Sequence, residues 1–84
     1  MTIPLYGQPL EPREVEILAR LARGHRYADI ALDVYGGLNS VKTSLHRTFL
    51  KLGAVSGPHA VALAIATGAL PADVAQHHDH EEEA

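Results

Sequence analysis

The 84-residue chain is expected to adopt an all-α fold of four short helices, and three observations point there. Apolar residues recur at helical spacing in four successive segments, near 12–23, 27–35, 39–52 and 58–68. Glycines punctuate the junctions: Gly24, then Gly36 and Gly37, then Gly53 and Gly57, and finally Gly68. Hydrophobic residues make up 46% of the chain but aromatics only 5%, which suits small side chains between close-packed helices better than a sheet sandwich. No segment alternates for long enough to read as a strand.

Each element follows from its residues. Residues 1–9 carry Pro4, Gly7 and Pro9 and read as an extended arm, with Ile3, Leu5 and Tyr6 available to one edge of the core. The first helix starts at Pro12, a residue suited to an early helical position, behind Glu11 as a weak N-cap. Val15, Leu18, Leu21 and Ala22 form its apolar stripe, widened by Ile17. The second helix offers Ile30, Ala31 and Val34. The third is expected to be capped by Asn39 or Ser40, with Val41, Leu45, Thr48, Phe49 and Leu52 pointing inward. In the fourth, Val61, Ala64, Ile65 and Gly68 are expected in the core. Pro71 is read as the end of a compact domain spanning 10–71, followed by a flexible acidic, His-rich tail over 72–84.

Composition narrows the function. The chain has no cysteine, so no disulfide frame or thiolate zinc site holds it. No apolar run reaches the ~20 residues that span a bilayer, and the first residues lack the pattern of a secretory signal. A cytoplasmic protein is expected. The net charge of −3 is unevenly distributed. Between Leu10 and Pro71 stand seven cations and five carboxylates, whereas Asp73, Asp79, Glu81, Glu82 and Glu83 follow with no Lys or Arg. Whole-chain charge is therefore a poor guide to partners.

The third helix carries the strongest functional signal. Away from its apolar stripe stand Asn39, Lys42, Thr43, His46, Arg47 and Lys51, with no carboxylate among them. Such a face suits a DNA major groove: cations for phosphates and guanine edges, Thr and Asn for bases or backbone. A solvated helix face explains the same residues without any partner. Two short helices joined by a Gly-containing turn, the second with this face, make a helix-turn-helix unit.

From Leu10 to Leu70 the chain resembles the LuxR-type DNA-binding domain, the four-helix output module of many bacterial regulators. The resemblance is carried by Leu10-Glu11-Pro12-Arg13-Glu14-Val15-Glu16-Ile17-Leu18, Leu21-Ala22-Arg23-Gly24 and Asp29-Ile30-Ala31. It continues through Ser40-Val41-Lys42-Thr43-Ser44, Lys51-Leu52-Gly53, Ala60-Val61 and Gly68-Ala69-Leu70. The spacing is kept without insertion. Departures mark a divergent, stand-alone member of bacterial or phage origin: Tyr35 where the family has Gly, Ser44 for a His, Thr48 for a core Ile, and Ala28 for a polar residue. At the turn, Gly36 is expected to supply a left-handed residue and Leu38 to fill the buried apolar slot.

The resemblance implies sequence-specific binding of double-stranded DNA and transcriptional regulation, without cofactor or metal. It places Lys42, Thr43 and His46 toward bases. Ser40 reads as a phosphate contact or a plain N-cap, and Arg47 and Lys51 as phosphate contacts or solubilising charge. Arg26 is a candidate for the flanking strand. Dimerisation through the fourth helix is implied, and Ala62, Leu63 and Ala66 form an uncharged outer strip there. The rival reading is a protein-interaction module acting on RNA polymerase, a sigma factor or another regulator. His77, His78, Asp79, His80 and Glu81 have metal-ligand chemistry, but so close together they make a loose site, and a solvated tail is the simpler reading. No nucleophile, base and orienting group come together in the sequence, so catalysis is not expected.

Overall fold

A computed structural model describes residues 4–33 and 36–76. Its helices are α1 (Pro12–Ala22), α2 (Tyr27–Asp33), α3 (Gly37–Leu52) and α4 (Gly57–Thr67), followed by a 3-10 turn at Val74–Gln76. No strand occurs among the described residues. The expected all-α, four-helix architecture is the observed one.

α1 begins at Pro12 behind Glu11, whose backbone N–H donates to the Glu14 carboxylate at 2.8 Å. That contact satisfies an amide the helix itself leaves open. Ile17 and Leu18 are fully buried and contribute the centre of the core. Arg20 ties α1 to α2, reaching Glu16 and Asp33 at 2.9 Å each. In α2, Ile30 is buried, and the Asp29 carboxylate accepts from the Arg26 backbone N–H. The expected inward Val34, and the extension of α2 to residue 35, fall outside the described residues.

The turn into α3 differs from expectation in two ways. α3 starts at Gly37 rather than near residue 39, and its N-cap is Gly36, not Asn39 or Ser40. Gly36 does take the expected left-handed conformation, at φ 112°, and Gly37 follows at φ 80°. Two successive glycines with positive φ turn the chain tightly enough for helix to resume at once. Leu38, now in the first turn, is 41% exposed, so it does not fill a buried slot. Ile30 of α2 and Val41 of α3 are instead the fully buried apolar residues that these two helices give to the common core.

Along α3, Val41, Leu45 and Thr48 are buried as expected, with Phe49 and Leu52 packed beside them. Thr48 brings a hydroxyl into the core, where it donates to the Ser44 carbonyl at 2.7 Å. The group is thus satisfied within its own helix. α4 is capped by Ser56, whose Oγ accepts from the His59 backbone N–H. Its fully buried residues are Ala60 and Ala64, with Val61 and Ile65 partly buried. Gly68, expected in the core, is exposed and instead ends the helix at φ 87°.

Both ends of the domain reach further than the sequence suggested. Leu70 and Val74 are buried in the core, and the 3-10 turn packs on α1. Pro71 is therefore not the domain boundary, and residues 72–76 are not tail. At the other end the arm is tied down: the Gly7 N–H donates to the Lys51 carbonyl at 2.9 Å, and Tyr6 lies against Gly53. Ile3 and residues 77–84, including the histidine cluster, lie outside the described residues.

Candidate nucleic-acid interface

The polar residues of α3 divide into two groups, one turned to solvent and one turned to α1. At about 100° per residue, positions 39, 42, 43 and 46 share an arc of roughly 100°. Positions 40, 47 and 51 share a second, narrower arc beside it, and α1 lies beyond that one. The first group is exposed: Asn39, Lys42, Thr43 and His46 all face solvent. Among the described residues none of these four side chains has a hydrogen-bond or ion-pair partner. Leu50 adds an exposed apolar side chain to α3. Cationic and neutral donors standing free on one helix face are what base edges and phosphates require.

The second group is engaged with α1. Lys51 is 4% exposed, and its ammonium donates to Glu14 at 2.7 Å and to the Pro9 carbonyl at 3.2 Å. This corrects the reading of Lys51 as a phosphate contact: its charge is used inside the fold. Glu14 is buried as well, and its second oxygen lies 3.5 Å from Arg47 Nε. Burial pushes the Glu14 carboxyl up, but three influences outweigh it: the Lys51 hydrogen bond, the Glu11 amide and the charges of Lys51 and Arg47. Together they hold Glu14 below its ordinary value of 4.5. Arg47 remains 45% exposed, oriented by Glu14 and open to solvent. Ser40 accepts a 2.7 Å hydrogen bond from Arg13, joining the starts of α1 and α3.

Arg26 precedes α2, is well exposed, and lies 3.8 Å from Asp29. On α4, Ala62 and Ala66 are exposed and Leu63 is half-buried, so the uncharged strip is present with its largest member partly sunk. Sequence reasoning missed Glu14 and Arg13, the two α1 residues that grip α3. One signal was available: Glu11 and Glu14 stand at capping-box spacing, and such a residue at the third helical position is held inward. No group of His, Cys, Asp or Glu suited to a metal ion occurs among the described residues.

Over 62 residues, 74% of its length, the chain is 38% identical to the uncharacterized transcriptional regulatory protein YxjL of Bacillus subtilis (strain 168). Four helices with no strand among the described residues are the architecture that the LuxR-type resemblance implied. The aligned part of the chain corresponds to 28% of that relative's length. No family model and no solved structure matches it. No single helix among its described residues is long and apolar enough to cross a membrane.

Proposed function

We propose that this chain is a LuxR-type helix-turn-helix domain that binds double-stranded DNA sequence-specifically through α3 and regulates transcription in the cytoplasm, as a dimer joined through α4. The observation that carries the reading is the partnerless, exposed set Lys42, Thr43 and His46, spaced to face one groove. Arg47, Ser40 and Arg26 are assigned to the phosphate backbone around it. The naming of the relative as a transcriptional regulatory protein supports the same role.

Selection of bound sequences from a random duplex pool tests the proposal directly. On a selected site, Lys42→Ala is expected to cost about 1–3 kcal/mol and to relax preference at one base pair. Arg47→Ala is expected to weaken all sequences alike and to flatten the salt slope by about one unit. Equal losses for Lys42→Ala on selected and random duplexes would demote Lys42 to a phosphate contact. A pool that yields no enriched sequence would refute specific binding.

For the dimer, Leu63→Glu on the α4 strip should weaken self-association and cooperative occupancy of paired half-sites while the helical signal is retained. Sedimentation equilibrium together with a titration on single and paired half-sites reads both. Identical behaviour before and after the change would remove α4 from the interface. A protein-docking module acting on RNA polymerase or another regulator is the second reading. It draws on Leu32 and Val55, each 86% exposed. Binding to such a partner would persist at salt concentrations that abolish DNA binding.

A further inference from the structure

Three charged side chains meet between α1 and α3, and only one of them reaches the surface. The side chains of Glu14 and Lys51 are each 3% exposed and lie 2.7 Å apart. Arg47 is 45% exposed, and its Nε stands 3.5 Å from the second Glu14 oxygen. One carboxylate thus faces two cations, and the surplus positive charge emerges at the exposed guanidinium. The carboxylate is fixed from within: Oε1 accepts from the Lys51 ammonium and, at 2.8 Å, from the Glu11 backbone N–H. The oxygen left over, Oε2, is the one that meets Arg47. Among the described residues Arg47 has no other hydrogen-bond or ion-pair partner, so its Nη groups are open. Exposed Thr43 lies four residues before it, which sets Arg47 at the border of the solvent-facing arc of α3.

We infer that the buried Glu14–Lys51 pair is a positioning device for Arg47, holding its guanidinium by the Nε edge so that the Nη groups are presented to a phosphate of duplex DNA. The ligand rests on the function proposed above; the orientation does not, and the test separates them. A guanidinium is a planar fork, able to keep one partner at Nε while its other donors take a phosphate. A long side chain left to its rotamers presents the right one only part of the time, and apparent affinity falls by that fraction. Lys51 has a second effect here. Because its ammonium neutralises Glu14 from the inside, the carboxylate anchors Arg47 without setting a net negative charge beside the DNA. Glu14, on α1, is then a positioning residue for a contact made by α3.

The test compares the parent chain with Glu14→Leu/Lys51→Met, which removes one charge of each sign and leaves the net charge unchanged. Both are also made with Arg47→Ala, and Arg47→Lys, at an exposed position, is the fifth chain. Without DNA, nitrogen-15 relaxation of the Arg47 Nε–H should show order like the backbone in the parent and free motion in the pair replacement. With a random-sequence duplex at 0.1 M salt, Arg47→Ala should bind about eightfold weaker, with a salt slope lower by about 0.9, the share of one phosphate contact. The pair replacement should bind about threefold weaker with its slope unchanged, because the contact still forms but from only about a third of the rotamers. In the Arg47→Ala background the pair replacement should cost nothing further, whereas a general loosening of the fold would cost the same in both. Arg47→Lys should lose at least as much as the pair replacement although it keeps the charge, since a single ammonium cannot hold Glu14 and a phosphate at once. A freely moving Arg47 Nε–H in the parent would overturn the orientation. A threefold loss that persists without Arg47, or an Arg47→Lys chain that binds like the parent, would overturn the positioning role. If the pair replacement does not fold, the parent's relaxation and Arg47→Lys decide by the same criteria. An ordered Nε–H with no duplex binding by any chain would uphold the orientation and overturn the DNA reading.

Discussion

Lys51→Met is expected to cost about 3–5 kcal/mol of folding stability, the penalty of leaving one member of a buried ion pair without the other. The methionine fills nearly the same volume, so the loss reports charge and hydrogen bonding more than packing. Glu14 would keep the Glu11 amide and a 3.5 Å approach from Arg47, but would lose its 2.7 Å partner inside the fold. Pro9 would lose its donor at the same time. Replacing both charges, as in Glu14→Leu/Lys51→Met, should recover most of the loss, because matched apolar groups need no desolvation. Urea unfolding of the three proteins decides this. A Lys51→Met protein within 1 kcal/mol of the parent would show that the pair is not what holds α1 to α3. The pair also sets an acid limb. Glu14 has a folded pKa below its ordinary 4.5, so the stability it supplies is complete above that value. It is lost as pH falls through the lower folded value. That limb should shrink in Lys51→Met.

Gly36→Ala is expected to cost about 2–4 kcal/mol, by two effects acting together. The residue sits at φ 112°, where an L side chain is strained in any surroundings. An added Cβ would also lie 2.7 Å from Ser40 Oγ, 2.8 Å from Ser40 Cβ and 3.0 Å from Arg13. Ser40 Cβ belongs to helix-anchored structure and cannot swing aside, so the start of α3 must move. Gly53→Ala provides the contrast. It too has positive φ, at 74°, but its added carbon meets the ring of exposed Tyr6, which is free to turn away. Gly53→Ala should therefore cost only the backbone strain of about 1–2 kcal/mol. Thermal melts of both variants provide the comparison, and equal losses would show that the contact with Ser40 carries no extra weight.

The four helices were legible because periodicity and glycine punctuation are local, and here they agree with the packing. The inward faces of α1 and α3 followed from the same periodicity. The turn was legible in part: a left-handed Gly36 follows from residue type, but the loss of Leu38 from the core depends on where α3 begins. α4 misled because an Ala-rich sequence has little contrast between faces. Ala60 and Ala64 are as small as the exposed Ala62 and Ala66, and only neighbours distinguish them. Lys51 misled for a related reason. A helical wheel gives its angle but not the carboxylate waiting 37 residues away on α1. Val74 was hidden because it stands between Asp73 and Ala75 with no large apolar residue at helical spacing after it, and a single apolar side chain carries no period.

The clasp around Lys51 has a kinetic meaning. Its carbonyl receives the amide of Gly7, its ammonium reaches the carbonyl of Pro9, and its charge meets Glu14, partners lying 44, 42 and 37 positions back along the chain. The helices, by contrast, are built from bonds four residues apart. Contacts of such long sequence separation close large loops and reward the chain only after that entropy has been spent, so they belong to the late part of folding. Interactions formed after the rate-limiting step leave the folding rate nearly untouched and govern how long the folded state lasts. The amino-terminal strap is thus a timer on the native lifetime, set by residues distant from the exposed α3 face they hold in register.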